Sequence, residues 1–185
     1  MNLLLDKLPT EYEGLKIETN FRSFILFELL MQDVNVEDND KVALAINLFY
    51  KEVPSDIGKA INGILWFYSC GKEFEEKGEK SKEGHKERIY SYEHDANLIY
   101  SAFWHDYKLD LNEIEYLHWW KFKSLFEGLN EENKICKYMG YRAIDLSKIK
   151  DKNQKDKYKK LKQQCALPDE RNEEEKEQDF ADMLW

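Results

Sequence analysis

The sequence predicts a mainly α-helical chain built as one domain, and three observations carry that prediction. Only 3 Pro and 8 Gly interrupt 185 residues, so long stretches are free of helix breakers. Apolar residues recur at three- and four-residue intervals, the helical period. The 5 Trp, 11 Tyr and 10 Phe supply the apolar area for a core although 35% of the chain is charged. The length suits one domain with an appendage: a helical domain over 1–166 containing a charged loop at 71–88, then an acidic tail over 167–185.

The elements come in order along the chain. Glu13-Gly14 is a turn signal between Tyr12 and the alternating Leu15-Lys16-Ile17, which predicts a small N-terminal hairpin. Thr19 or Asn20 caps a first helix carrying Phe21, Phe24, Ile25 and Leu29 and ending near Asp33. A second helix carries Val42, Leu44, Ala45, Ile46, Leu48 and Phe49. Pro54 suits the opening of the third, which Ser55 or Asp56 caps and Gly71 terminates. In 71–88 twelve residues are charged, six of each sign, which reads as a mobile loop. The next helix starts around Glu93 to Asp95 and carries Ala96, Ile99, Tyr100, Phe103 and Tyr107.

Asp110-Leu-Asn-Glu113 has the form of a capping box, so a long central helix is expected from there to Gly128. Its Ile114, Leu117, Trp119, Trp120, Phe122, Leu125 and Phe126 cover most of the circumference, with the core centred on Ile114, Leu117, Trp120 and Phe103. A shorter helix runs through Ile135 and Met139, and Asp151-Lys-Asn-Gln154 opens a last, basic helix toward Ala166. Charge then reverses: 145–164 holds eight Lys and three Asp, whereas 168–185 holds eight acids and two bases. Phe180, Met183 and Leu184 share a helical spacing, so the terminal stretch reads as a docking segment on an acidic tether.

Several classes are disfavoured. A net charge of −9 repels a phosphate backbone. Apolar runs of four or five residues, at Phe24 to Phe27 and Ile64 to Tyr68, are far short of a membrane span. Met1 to Leu8 lacks a basic start and a small-residue cleavage site, so the chain is expected to stay in the cytoplasm where it is made. Cys70, Cys136 and Cys165 have the spacing of neither a disulfide framework nor a metal knuckle and are expected as reduced thiols. His94-Asp95 and His105-Asp106 would lie about 16 Å apart on a helix, too far to share one ion. His118, among Tyr116, Leu117, Trp119 and Trp120, reads as a core histidine bonded to a carboxylate or a backbone carbonyl. No nucleotide-binding, metalloprotease or serine-nucleophile motif occurs, and no cofactor or metal is expected.

One resemblance is specific. Asp95-Ala-Asn-Leu-Ile-Tyr-Ser-Ala-Phe103, Leu109-Asp-Leu-Asn-Glu-Ile114, Tyr116-Leu-His-Trp-Trp-Lys-Phe122 and Leu125-Phe-Glu-Gly-Leu129 together resemble the phage family called gene product fifteen. The likeness extends to Asn2-Leu-Leu-Leu5 with Leu8-Pro9, to Gly63-Ile-Leu-Trp-Phe-Tyr68, and to Gly140-Tyr-Arg142 with Asp145-Leu-Ser-Lys-Ile-Lys150. The resemblance implies a protein from the tail module of long-tailed phages of Gram-positive bacteria. It implies a non-enzymatic tail assembly chaperone that binds the tape measure protein and also bears on the major tail protein, absent from the finished virion. A structural component of the tail or its joining complex is the alternative. The expected contact residues are the aromatic edges of Trp104, Trp119 and Phe126, with Phe180, Met183, Leu184 and Trp185 as a second surface.

Overall fold

The computed structural model describes residues 2–72 and 88–168. Most of the predicted loop 71–88 and nearly all of the predicted tail 167–185, with Phe180, Met183, Leu184 and Trp185, lie outside the described residues. A two-stranded antiparallel hairpin, β1 (Glu11–Tyr12) and β2 (Leu15–Lys16), precedes the helices α1 (Phe21–Gln32), α2 (Asp38–Phe49), α3 (Ile57–Tyr68), α4 (Ala96–Tyr107), α5 (Trp119–Glu127), α6 (Lys134–Ala143) and α7 (Lys152–Gln164). The mainly helical class and the small hairpin are as the sequence predicts. In the hairpin Tyr12 pairs with Leu15, and the two turn residues both adopt left-handed backbone, Glu13 at φ 46 and Gly14 at φ 83. That is the twist-matched two-residue turn of a β-hairpin.

Local signals set most boundaries. The Asn20 side chain accepts the Arg22 amide at the start of α1, and Asp56 accepts the Lys59 amide at the start of α3. Asp151 accepts the Gln154 amide at the start of α7, satisfying amide donors that a helix leaves free. At the end of α3, Cys70 and Gly71 both have positive φ, and the Gly71 amide returns to the Trp66 carbonyl at 2.9 Å. A Cβ on Gly71 would lie 2.9 Å from Cη2 of Trp120, so the turn needs glycine for its conformation and for space.

Packing runs in two groups. Helices α1, α2 and α3 pack in succession, and α5 closes against α1 and α3; α4 packs on α6, and α6 on α7. The aromatic side chains of α5 join the groups. Phe122 stacks on Phe21 of α1 at 4.9 Å and on Phe103 of α4 at 5.0 Å. Trp119 stacks on Phe24 at 5.1 Å and on Tyr68 at 5.8 Å. These rings lie within 17° of parallel, an offset column through the centre of the domain.

The long central helix expected from Asp110 is not formed. The Asp110 carboxylate does accept the amides of Asn112 and Glu113, and the Ile114 amide reaches the Asp110 carbonyl, but only one turn results. Arg22 takes the carbonyls that the next turn would use. Its guanidinium donates to Leu111 and Ile114, both at 2.7 Å, and to Asn112 at 3.2 Å. The chain then runs extended beside Thr19 and Asn20, with Phe21 N–H to Leu117 at 2.9 Å and Trp119 N–H to Thr19 at 2.8 Å. Phe103, Leu117 and Trp120 are buried as expected of the core, while Ile114, in the turn, is only partly buried.

A buried ion pair fastens the second group. Arg142 of α6 meets Asp95 in a two-pronged contact at 2.6 and 3.0 Å, both side chains almost fully enclosed. The same guanidinium donates to the carbonyl of Cys165 past α7 and to that of Ile89 ahead of α4. Asp95 also accepts the Ser91 amide at 3.0 Å. Nε and both terminal nitrogens of the guanidinium are thereby spent, with a carboxylate, on holding separate chain segments together.

Candidate interaction surface

The residues expected to bind a partner divide between surface and core. Trp104 projects from the outer face of α4 with 49% of its area exposed, as a contact residue requires. Trp119, at 1%, and Phe126, at 5%, are core residues and present no edge to solvent. Trp119 and its neighbour Trp120 are both buried because α5 is wedged between helices. Side chains about 100° apart both meet packed helices, Trp119 facing α1 and Trp120 facing α3. Each indole N–H finds a carbonyl at the end of α3, Trp119 at Tyr68 (3.1 Å) and Trp120 at Phe67 (2.8 Å). Phe126 is covered by Tyr90 and Phe122, with the Lys123 ammonium 6.0 Å from its ring centre.

Other apolar side chains stand in their place. Leu26 and Met31 of α1, Val34 of the link to α2, and Val42 and Leu44 of α2 are exposed, as are Val53, Ile57 and Tyr116. At the N-terminus Leu3, Leu4 and Leu5 are exposed on a turn closed by its own bonds: Asn2 N–H to the Asp6 carboxylate at 2.7 Å, Leu4 N–H to the Asn2 side chain at 2.9 Å. Sequence reading missed this set because it weighted aromatic residues. The available signal was positional: Leu26 lies off the Phe21, Phe24, Phe27 stripe of its helix.

The chemistry-bearing residues are engaged structurally. His118 is buried; its Nδ1 accepts the Trp120 amide at 3.1 Å and caps α5, and its Nε2 donates to the Pro9 carbonyl at 2.9 Å. Burial, with a contribution from Lys121, holds its pKa below the usual histidine value against the opposing pull of the Pro9 carbonyl. A neutral ring with one donor and one acceptor fits both bonds. His94 and His105 are exposed, and His105 contacts its neighbour Asp106 at 2.8 Å. Among the described residues no group of His, Cys, Asp and Glu is placed to hold a metal ion. Burial raises the pKa of the Cys70 and Cys136 thiols, the opposite of nucleophile activation.

Glu28 collects hydroxyls in a part-buried cluster, Tyr68 at 2.7 Å and Tyr90 at 3.5 Å. Burial and this carboxylate push the Tyr90 hydroxyl up to about 12 and Tyr68 higher still, so both stay protonated donors. An open cleft of about 490 Å³ lies between β2 and the link from α2 to α3, edged by Lys16, Glu18, Lys51 and Glu52. Another, of about 210 Å³ and lined by Phe21, Ile25, Ile99 and Phe122, lies beside Arg22. Among the described residues no helix is long and apolar enough to cross a membrane.

A family model described as Bacteriophage Gp15 protein matches residues 4–167. The chain belongs to that family. The match spans the hairpin and all seven helices among the described residues. No curated protein and no solved structure matches the chain. Asp95 and Arg142, which lie in separate stretches of the sequence resemblance, are the two halves of the buried ion pair in this Gp15 fold.

Proposed function

We propose that this Gp15 protein is a non-enzymatic tail assembly chaperone that binds the tape measure protein during tail morphogenesis. The observation that carries the reading is membership of the phage family over residues 4–167. The surface supports it. A tape measure is a long, helix-rich polypeptide whose apolar stripe has to be shielded until tube subunits cover it. Exposed Trp104, the leucines at 3–5 and the outer positions Leu26, Val34 and Leu44 offer apolar contacts of the kind that hold an amphipathic helix. A net charge of −9 keeps such a complex soluble and disfavours nucleic acid as the partner. Trp119 and Phe126 support the contact from within, by fixing α5, and do not touch the partner.

Coexpression with the tape measure of the same phage tests the reading. The expected result is a higher soluble yield of tape measure and its copurification with this protein, with Trp104→Ala weakening the complex. If the tape measure is equally soluble alone and none copurifies, the chaperone reading fails.

A further inference from the structure

Phe122 of α5 stacks between Phe21 of α1 and Phe103 of α4, and beside that column the open cleft of about 210 Å³ runs between α1 and α4. Its deep part is apolar: Phe21, Ile99 and Phe122 are buried core residues. Its mouth carries exposed Ala96, in the first turn of α4, and exposed Asn112, in the turn that follows Asp110. Arg22 pins that turn through the carbonyls of Leu111, Asn112 and Ile114, so this wall of the cleft is held in place. Exposed apolar side chains continue both helical walls. Leu26 stands one turn beyond Arg22 on α1, and Trp104 one turn beyond Tyr100 on α4.

We propose that this cleft is an anchor pocket: it receives one Leu, Met or Phe side chain of a partner polypeptide that lies along Trp104 and sets a Lys or Arg against Asp110 and Glu113. The proposal rests on the partner-binding reading above and adds the place and the chemistry of the contact. Volume selects the anchor. An apolar cavity of about 150 Å³ already holds benzene, whereas small-molecule sites run to about 300–1,000 Å³. At about 210 Å³ the cleft fits one large side chain and not a cofactor-sized ligand. Charge selects what flanks the anchor. The Tyr100 hydroxyl, at the cleft wall, donates to Asp110 at 3.2 Å. Burial, that bond and the charges of Asp110 and Glu113 raise the Tyr100 pKa, so both carboxylates act at this edge. They face one guanidinium, Arg22, whose terminal nitrogens are engaged by backbone carbonyls. A partner cation beside the apolar anchor therefore meets an edge with two carboxylates. An apolar anchor in a preformed pocket, with an indole at its border, is the arrangement in which few residues carry most of the binding energy.

The test plugs the pocket from two opposite walls of the full chain and reads capture of the coexpressed tape measure. Ala96→Trp fills the mouth from α4. Asn112→Phe fills it from the turn, where the bonds to Arg22 and Asp110 are made by the backbone and survive the change. Both positions are exposed, so both variants are expected to keep the parent's thermal midpoint while capture falls by about tenfold or more. Either variant alone decides the matter if the other fails to fold. Glu113→Lys, which leaves the pocket open, should weaken capture several-fold and flatten its dependence on salt. With ¹³C-labelled methyl groups, overlapping peptides that tile the tape measure should shift Ile25, Ile99 and Leu111, and changing the peptide's anchor to Ala should abolish those shifts. Capture by a folded plugged variant at the parent's level would overturn the pocket and leave the partner-binding reading standing. So would peptides whose shifts fall only on methyl groups outside the cleft, such as Val53 and Ile57. Absence of capture by the parent itself would overturn both.

Discussion

Arg142 shows how much of this fold depends on single side chains. Its guanidinium satisfies Asp95 and the carbonyls of Ile89 and Cys165 in a nearly water-free setting. Removing one member of such a pair leaves a buried charge without compensation. Arg142→Ala is therefore expected to destabilise by about 3–5 kcal/mol, read as a lower midpoint in urea denaturation. A second residue sets a pH response. Because the folded pKa of His118 lies below 6.5, the unfolded chain takes the proton first as pH falls. Stability is then lost as pH drops through about 6.5, and the loss levels off below the folded value. The urea midpoint should fall between pH 7.5 and 5.5, and His118→Asn, which keeps a capping oxygen but does not titrate, should flatten that part of the profile.

At the scale of elements, the end of α3 and the start of α5 meet at Gly71 and Trp120. Gly71→Ala has to place a Cβ 2.9 Å from the Trp120 ring at φ 74, so destabilisation well above 1 kcal/mol is expected in thermal melts. The boundaries of α1, α3 and α7 were legible because Asn20, Asp56 and Asp151 act on their own neighbours, a purely local chemistry. The false start at Asp110 was not. Its capping bonds form as the local pattern dictates, but Arg22, about ninety positions away, captures the carbonyls that would have continued the helix. His118 takes over as cap of a shorter helix, a role that its residue type does not advertise. The surface was misjudged for a related reason: helical period locates an apolar stripe, but whether one or two neighbours cover it depends on packing between distant segments. Trp119 sits against both α1 and the end of α3, so it is core, and only Trp104 of the three described candidates is surface.

For the whole molecule, this division separates folding from binding. Trp119→Ala should cost about 3–5 kcal/mol of stability through the cavity it leaves. Trp104→Ala should leave the urea midpoint within about 0.5 kcal/mol of the parent while reducing capture of the tape measure in pull-downs. A variant pair with the reverse pattern would exchange core and surface. A chaperone of the tape measure acts on it and then leaves. Quantitative mass spectrometry of purified virions, beside the lysate in which they assembled, decides whether this Gp15 protein does so. The protein is expected in the lysate in association with the tape measure, and absent from the particles. Its recovery in washed virions at a fixed number of copies per tail would contradict the chaperone role and make it a structural component of the tail.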